Sequence, residues 1–557
     1  MTSASSRSLA ATGASPSVAV TSKPNTTRGA RARAHALALL TLSALALAGC
    51  TVGPDYKQPQ VAGQEHFSTA TTRPSEPAGD AAGAGEAGGA GGAATRPAPV
   101  VVDASAPWWT AFNDPMLNRL VDESVHANLD LRAAEARVRQ ARAQRGVAVG
   151  GLWPSVDASG SYTRTRSSQN TGMGGGGAGT VGETGGGGGG GGQNPGGVPV
   201  GFSSESDLWQ AGFDAAWEFD VFGGTRRAIQ SADAGIQAAV ADRNDVLLSL
   251  LGEVARNYVE LRGAQRQVAI AQENVGAQQQ TLQLTRAKLA AGLSNDLDVA
   301  RAEAQVASTA SQIPALQTGV AQSIHRLSVL TGKPPAALLA ALGAPAPIPP
   351  PPPEVPVGLP SELLRRRPDV RRAERQLAAQ TANIGVATAD LFPRFTLTGG
   401  LGLQSNKFAD LAQGGSTFWS ISPGVTLPIF NAGRIRSNIA LERARTDEAL
   451  ANYERAVLTS LQEVEDALVA YQKEFTRRDI LAQSVAANQR AVNLSQQLYQ
   501  RGLTNFLDVL DSQRALYSSQ DELARSDTQV SANAVALLKA LGGGWDVRPA
   551  QEVAAGE

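Results

Sequence analysis

The sequence has very little of the chemistry that enzymes use. It contains one cysteine and four histidines in 557 residues, and aromatic residues make up only 5% of it. No two histidines have the spacing of metal ligands, and the chain has neither a nucleophile elbow nor a phosphate-binding loop. We therefore expect no catalytic residue, no metal site and no cofactor.

A charge excess of one sign and long apolar runs are also lacking. The 49 basic and 50 acidic residues give a net charge of −1, which argues against a nucleic-acid partner. The apolar run over residues 36–49 is shorter than the roughly 20 residues of a membrane-spanning helix. Because this run follows several arginines and ends in small residues, we predict that residues 1–49 are a cleaved signal peptide.

The single cysteine closes the sequence Leu47-Ala48-Gly49-Cys50. This sequence resembles the bacterial lipobox, in which the cysteine thiol takes a diacylglycerol group and cleavage leaves the cysteine as the acylated mature N-terminus. We therefore predict that Cys50 is a lipidation site carrying fatty acyl groups such as palmitate, which anchor a protein by burying CH₂ groups in the bilayer. In that resemblance Thr51, instead of an aspartate, favours the outer membrane. An ordinary signal peptide followed by a chance cysteine is the alternative.

Several stretches are too poor in apolar residues to build a core. We predict a lipid anchor and flexible tether over residues 50–107, a glycine-rich hairpin loop over 171–204, a proline-rich linker over 341–360 and a tail over 546–557. The linker contains the run Pro349–Pro353, which excludes a helix there.

The two remaining segments, residues 108–340 and 361–545, repeat each other. Gly292-Leu293-Ser294-Asn295 returns 210 residues later as Gly502-Leu503-Thr504-Asn505, and Leu152-Trp153-Pro154 returns as Leu391-Phe392-Pro393. The first copy contains a helix, a strand hairpin, a long helix and a return helix, and the second copy follows the same order. We therefore predict one architecture with an internal two-fold repeat.

Four stretches alternate between apolar and polar residues, which is the period of a β-strand. They lie near residues 156–163, 209–221, 395–403 and 420–429. The second stretch is apolar and aromatic on one face and carries Asp214, Glu218 and Asp220 on the other. Strands with two such faces are typical of transmembrane β-barrels. A soluble two-faced sheet gives the same alternation and is the alternative.

Two long helical patterns without proline run over residues 225–290 and 434–500. Their apolar residues are three and four apart, as in coiled coils. A helix of this length spans roughly 100 Å, enough to cross a periplasm. Gly292 and Gly502 end the two patterns, and we predict return helices over residues 295–330 and 505–541. Residues 115–150 have a further helical pattern.

Four strands cannot close a barrel in lipid, because each unpaired backbone group at an open edge costs several kcal/mol. We therefore predict an oligomer, in which three copies supply about twelve strands. The fold class is then mixed α and β: a transmembrane β-barrel completed by trimerisation, with four strands per chain, that continues into a long α-helical coiled-coil tunnel. In it Asp214, Glu218 and Asp220 would line the lumen.

Six short motifs follow one another from residue 47 to about 546. They are Cys50-Thr51-Val52-Gly53-Pro54-Asp55-Tyr56, Trp108-Trp109, Arg367-Pro368-Asp369-Val370, Leu391-Phe392-Pro393, Leu507-Asp508-Val509-Leu510-Asp511 and Ala540-Leu541-Gly542-Gly543-Gly544-Trp545. In this order they resemble the outer membrane factor family of TolC-like channels, and most closely its lipoprotein branch in multidrug efflux pumps. The resemblance implies a homotrimer in the bacterial outer membrane that extends into the periplasm. It also implies a passive exit duct for drugs and other small molecules, delivered by a periplasmic adaptor protein and an inner-membrane pump of the RND type.

The resemblance further implies a gate at the far periplasmic end of the tunnel. Its acidic ring matches Asp508 and Asp511, and two positions of the latch between neighbouring helices match Asp298 and Tyr499. Asp508 also has a plain explanation, because the helix dipole stabilises a carboxylate in the first turn of a helix. The two explanations are compatible.

Thr504 departs from the family pattern, since the best-known latch has a basic residue at this position. Arg501 or Arg514 is a candidate to replace that residue, and a solvated arginine is the plain alternative for either. Two other functions also stay open: the outer membrane duct of a protein or peptide secretion system, and a lipid-anchored coiled-coil scaffold without a pore. The alternating strand over residues 209–221 argues against the scaffold.

Overall fold

The structure is a computed structural model that describes residues 51–59, 107–166, 205–352 and 366–543. Its main helices and strands are α1 Pro115–Ala127, α2 Leu129–Gly150, β1 Ser155–Arg166, β2 Glu205–Phe219, α3 Gly224–Ala290, α4 Asp296–Leu330, α5 Pro368–Ala389, β3 Arg394–Ser405, β4 Thr417–Thr426, α6 Arg434–Gln500 and α7 Phe506–Ala540. A short 3-10 helix, Trp108–Phe112, precedes α1. The predicted repeat is confirmed, because α2, β1, β2, α3 and α4 recur in the same order as α5, β3, β4, α6 and α7.

The four predicted strands form one antiparallel sheet in the order β1-β2-β3-β4, so that β1 and β4 are its edges. The register places Tyr162 opposite Trp209, Phe213 opposite Leu401, and Leu401 opposite Trp419. Since side chains alternate between the faces of a sheet, the apolar residues form one continuous face across all four strands. The polar residues form the opposite face.

The two long helices, α3 and α6, have 67 residues each, which corresponds to roughly 100 Å. Both end at a glycine with positive φ, +73° at Gly292 and +75° at Gly502. The amide of Gly292 donates to the carbonyl of Leu289, and the amide of Leu293 donates to that of Lys288. These two bonds satisfy the last carbonyls of the helix, and only glycine adopts the required backbone conformation without strain.

The structure corrects three predicted boundaries. The single helix predicted over residues 115–150 is two helices, because Asn128 has an extended backbone and its side chain caps the start of α2. β2 ends one residue before Asp220, which therefore lies outside the strand. β4 ends at Thr426 and not near Ile429.

The largest buried cluster joins the two repeats near the middle of the long helices. Trp108 packs there with Leu251 of α3 and Leu468 of α6, all of them 1% exposed or less. Burial of each such side chain contributes roughly 1.5–3 kcal/mol. The described part of the proline-rich linker crosses the same region, where the hydroxyl of Tyr471 donates to the carbonyl of Pro352 at 3.1 Å.

Several predicted segments lie outside the described residues. They are the signal peptide over 1–49, Cys50, residues 60–106 of the tether, the glycine-rich loop over 171–204, residues 353–360 of the linker and the tail over 546–557. In the part of the chain that the structure describes, no helix combines the length and the apolar character needed to span a bilayer.

Candidate functional site

The turn between α6 and α7 holds the two residues predicted to form the gate, Asp508 and Asp511, and both are exposed. Asn505 caps α7, since its side-chain oxygen accepts a hydrogen bond from the amide of Asp508 at 3.1 Å. The hydroxyl of Thr504 donates to the carboxylate of Asp508. Asp508 is therefore fixed in the first turn of α7, where the helix dipole also stabilises its charge.

The turn between α3 and α4 repeats this arrangement. The hydroxyl of Ser294 donates to the carboxylate of Asp298 at 3.2 Å, and the side chain of Asn295 accepts from the amide of Asp298 at 2.9 Å. Asp298, the predicted latch residue, thus has the position in the first hairpin that Asp508 has in the second. The two helix tips hold equivalent carboxylates through equivalent partners, but the Asp298 side chain is only 17% exposed, whereas Asp508 is exposed.

One helical turn further along, the two tips differ in charge. Asp511 occupies the position that Arg301 has in the first hairpin. Asp511 and Arg514 are 3.8 Å apart with both side chains more than half exposed, and such a surface pair contributes little. Arg514 also donates from Nε to Oε1 of Gln305 at 2.7 Å and so links α7 to α4. The Asp511 carboxylate is therefore accessible to ions.

Tyr499, the second predicted latch residue, is buried at the end of α6 against Phe506, with ring centroids 5.8 Å apart. Its hydroxyl has no hydrogen-bond partner among the described residues, so it is not bonded to Asp298. Lys288 of α3 donates to the carbonyl oxygen of Tyr499, and its Nζ lies 4.1 Å from the centre of the ring. Lys288 was not among the predicted site residues. The available signal was a lone lysine in the last turn of α3, where the second repeat has Leu498.

The polar face of the sheet carries two of the predicted lumen residues, Asp214 and Glu218. The register places Asp214 directly opposite Asp157 of β1, and the hydroxyl of Ser159 donates to Asp214 at 2.8 Å. Like charges directly opposite each other destabilise a sheet, so stability alone does not account for this pair. Asp157 was not among the predicted lumen residues, although the alternation in β1 places it on the polar face.

Asp220 has a role that differs from the predicted one. Its two carboxylate oxygens accept hydrogen bonds from the amides of Thr225 and Arg226 at 3.0 and 2.9 Å, in the first turn of α3. The guanidinium of Arg226 approaches the same carboxylate to 3.2 Å, and the Asp220 side chain is only 11% exposed. The carboxylate is therefore committed to the start of the helix.

Residues 51–59, which we call the strap, lie against the start of α3 and against α5. Arg227 of α3 is 4% exposed and donates to the carbonyls of Val52 and Gly53 at 3.0 and 3.2 Å. Gly53, with φ of +92°, passes so close to Gly385 of α5 that no side chain fits there. The strap is thus held at the end of the helices that adjoins the sheet.

The exposed carboxylates of the helix tips and of the sheet can attract or repel ions through their charge. Within the described residues, no set of three or more histidine, cysteine, aspartate or glutamate side chains is arranged to hold a metal ion. Exposed carboxylates at the helix tips and an acidic sheet face attract cations and repel anions along any path that passes them.

Comparison with known proteins gives consistent matches along the chain. The profile of the outer membrane efflux protein family matches residues 120–333 and 359–543. Nodulation protein T of Rhizobium leguminosarum bv. trifolii is 31% identical over 90% of this chain and 96% of its own length, and the solvent efflux pump outer membrane protein SrpC of Pseudomonas putida is 31% identical over 90% and 97%. The solved structure of the outer-membrane channel OprN is 34% identical, with a TM-score of 0.74 over 89% of this chain and 100% of that one.

Proposed function

Since the chain belongs to the outer membrane efflux protein family, we propose that it is the outer membrane channel of a tripartite efflux pump. In this proposal an inner-membrane pump of the RND type and a periplasmic adaptor deliver drugs and other small molecules, and the channel is a passive exit duct that catalyses no reaction. The observation that carries the proposal is the two-faced, four-stranded sheet joined directly to helices of roughly 100 Å.

The two edges of the sheet support a homotrimer. Among the described strands, β1 and β4 each pair on one side only. Because the four strands alternate in direction, β1 and β4 run in opposite directions, and β4 of one copy can continue the antiparallel sheet through β1 of the next. Three copies give a closed barrel of about twelve strands, which leaves no edge exposed to lipid. The acidic face with Asp214 and Glu218 then lines the lumen.

Exposed leucines at the two helix tips support docking of the adaptor there. Leu293 and Leu503 are 74% and 69% exposed and occupy equivalent positions in the two turns. Leu297 and Leu507, four residues further along each return helix, are exposed as well, at 56% and 42%. A group of exposed apolar side chains is typical of a protein contact.

We expect the double variant Leu293→Asp/Leu503→Asp to abolish export, because two carboxylates would enter the apolar contact with the adaptor. The two proteins are expressed in the source bacterium after its own copy of the gene has been deleted. Wild type should restore low ethidium accumulation, whereas the variant should leave the accumulation several-fold higher. Val329→Asp, at the far end of α4 and 59% exposed, is the matched control and should export normally. Normal export by the tip variant would exclude this docking site. In a separate measurement, a wild-type protein that carries no ion current in planar bilayers would favour the lipid-anchored coiled-coil scaffold without a pore.

The strap supports lipidation at Cys50, because it fixes the residues that follow the cysteine next to the sheet. In this proposal residues 1–49 are the signal peptide and residues 50–107 the anchor and tether. We expect wild type grown with an alkyne fatty acid to become labelled and Cys50→Ala to stay unlabelled. Arg227→Ala, which loosens the strap and leaves the lipobox intact, should label like wild type. If the wild-type chain stays unlabelled, Cys50 is not lipidated and the alternative of an ordinary signal peptide remains.

A further inference from the structure

Two large aromatic side chains next to the edge strands are exposed. Trp153, just before β1, is 71% exposed, and Phe430, just after β4, is 89% exposed. The register of the sheet places the start of β1 and the end of β4 at the same end of the sheet. The two rings therefore lie at the same level on opposite edges of one protomer.

The internal repeat contains the equivalent pair within a single chain. Phe392 stands in Leu391-Phe392-Pro393, the counterpart of Leu152-Trp153-Pro154. Phe222, in the link from β2 to α3, and Phe430, in the link from β4 to α6, each stand four residues before an arginine near the start of the long helix. The rings of Phe222 and Phe392 stack, with centroids 4.6 Å apart and an angle of 22° between their planes.

We propose that Phe430 of one copy stacks on Trp153 of the next copy, and that this aromatic clasp joins neighbouring copies where the sheet meets the helices. The clasp rests on the trimer of the proposed function. When β4 pairs with β1 of the neighbour, it recreates the surroundings that β2 and β3 have within the chain, where Phe222 meets Phe392. Stacked aromatic rings contribute beyond the area that they bury. Ile429, which is 92% exposed beside Phe430, is covered by the same contact.

A glycine on α2 extends the correspondence from the clasp along the helices. Gly385 of α5 packs against α3, since a Cβ at this position would lie 2.7 Å from Cγ of Arg227. Its counterpart Gly146 lies seven residues before Trp153, as Gly385 lies seven residues before Phe392. A Cβ at Gly146 would meet nothing within 4 Å among the described residues. α2 therefore has an open face, which is equivalent to the face of α5 that packs against α3. In the proposed trimer, α6 of the next copy packs against this open face of α2.

Cysteine cross-linking tests the clasp directly. Cys50 is the only native cysteine, and in the proposed lipidation its thiol carries diacylglycerol, so a Trp153→Cys/Phe430→Cys chain supplies the reactive thiols. A short bismaleimide applied to whole membranes should link three chains into one covalent trimer on a denaturing gel. Each single variant should stay monomeric. The matched pair Phe222→Cys/Phe392→Cys should link within one chain and also stay monomeric.

The failure of the clasp can be distinguished from the failure of the trimer. Native mass spectrometry of the unmodified protein reports the oligomeric state separately. The clasp alone would be overturned if the protein is a trimer and the matched pair links within one chain, but positions 153 and 430 of different chains do not link. In that case the two rings would instead be covered by lipid. A monomeric protein would overturn the proposed assembly.

Conservative variants provide a second readout. Phe430→Trp keeps a stacking ring, whereas Phe430→Ala removes it. The detergent-resistant trimer of Phe430→Ala should dissociate at a clearly lower temperature than wild type, and that of Phe430→Trp should dissociate near the wild-type temperature. Equal dissociation temperatures for all three proteins would contradict the clasp.

Discussion

A chain that carries Asp508→Ala and Asp511→Ala should conduct several times more current than wild type in planar lipid bilayers, and it should lose its preference for cations. In the proposed trimer, three copies of each carboxylate surround the narrow end of the tunnel. Such a ring attracts cations, and the ionised carboxylates repel each other. The nearest basic group of Asp511, on Arg514, is 3.8 Å away and exposed, so it neutralises little of this charge.

Two further variants separate charge from size and position. Asp508→Asn/Asp511→Asn keeps the side-chain volume and should lose cation selectivity with a smaller rise in current. Asp296→Asn removes an acidic residue from the first turn of α4, outside the predicted ring, and should behave like wild type. In whole cells the alanine variant should admit large antibiotics and raise susceptibility to them. Wild-type currents from both double variants would place the gate elsewhere in the tunnel.

The long elements were predictable because their signals are local. The absence of proline and the spacing of apolar residues define α3 and α6, and a glycine with positive φ ends each of them. The bounds of α6, Arg434–Gln500, are those predicted, and α3 begins one residue earlier than predicted. The repeat added a second instance of every main element except α1.

Capping residues were the main source of error, because their role depends on where the chain turns. Asn128 fits a helical pattern as well as it fits a cap, and only the extended backbone at this residue splits α1 from α2. Asp220 continues the alternation of β2, yet the chain leaves the strand one residue earlier and the carboxylate binds the amides of α3. Sequence periodicity does not resolve a shift of one residue.

Contacts between residues far apart in the chain could also not be predicted from the sequence. Lys288 and Tyr499 lie 211 residues apart and meet only because α3 and α6 end side by side. The opposition of Asp157 and Asp214 depends on the strand register, which a long glycine-rich loop leaves unspecified. The helix tips were predictable as turns, but the two carboxylates held by equivalent partners become visible only when both tips are compared.

The motif Arg367-Pro368-Asp369 is explained by a buried joint between three helices. The Arg367 guanidinium, 7% exposed, donates to both carboxylate oxygens of Asp369 at 3.0 and 2.7 Å. It also donates to Glu463 of α6 at 2.6 Å and to the carbonyl of Ala540 at the end of α7 at 3.0 Å. A planar guanidinium with five N–H donors serves all these acceptors at once, which a lysine cannot do.

Arg367→Met should therefore lower the free energy of unfolding by about 3 kcal/mol, the lower end of the range for breaking a buried ion pair, because Glu463 is half exposed. Thermal unfolding in detergent, followed by circular dichroism, measures the change. The double variant Arg367→Met/Asp369→Leu should recover most of the loss, since the partly buried Asp369 carboxylate is removed together with its partner and Glu463 is half exposed. A double variant as unstable as the single one would assign the loss to packing.

The pH dependence of the stability lost in Arg367→Met identifies Asp369 as the source of that loss. Burial raises the pKa of the Asp369 carboxyl, but the hydrogen bonds and charge of Arg367, together with the backbone amides of Asp369 and Val370, lower it more, so the pKa lies below its ordinary value of about 3.9. A carboxyl with a depressed folded-state pKa contributes stability that is fully present above about pH 4 and is lost as the pH falls through that pKa. In Arg367→Met the carboxyl loses the guanidinium, so its pKa is higher than in wild type and its ionisation contributes less stability. The gap in unfolding free energy between wild type and variant should therefore shrink between about pH 7 and about pH 3, whereas a constant gap would mean that Arg367 acts through its volume alone.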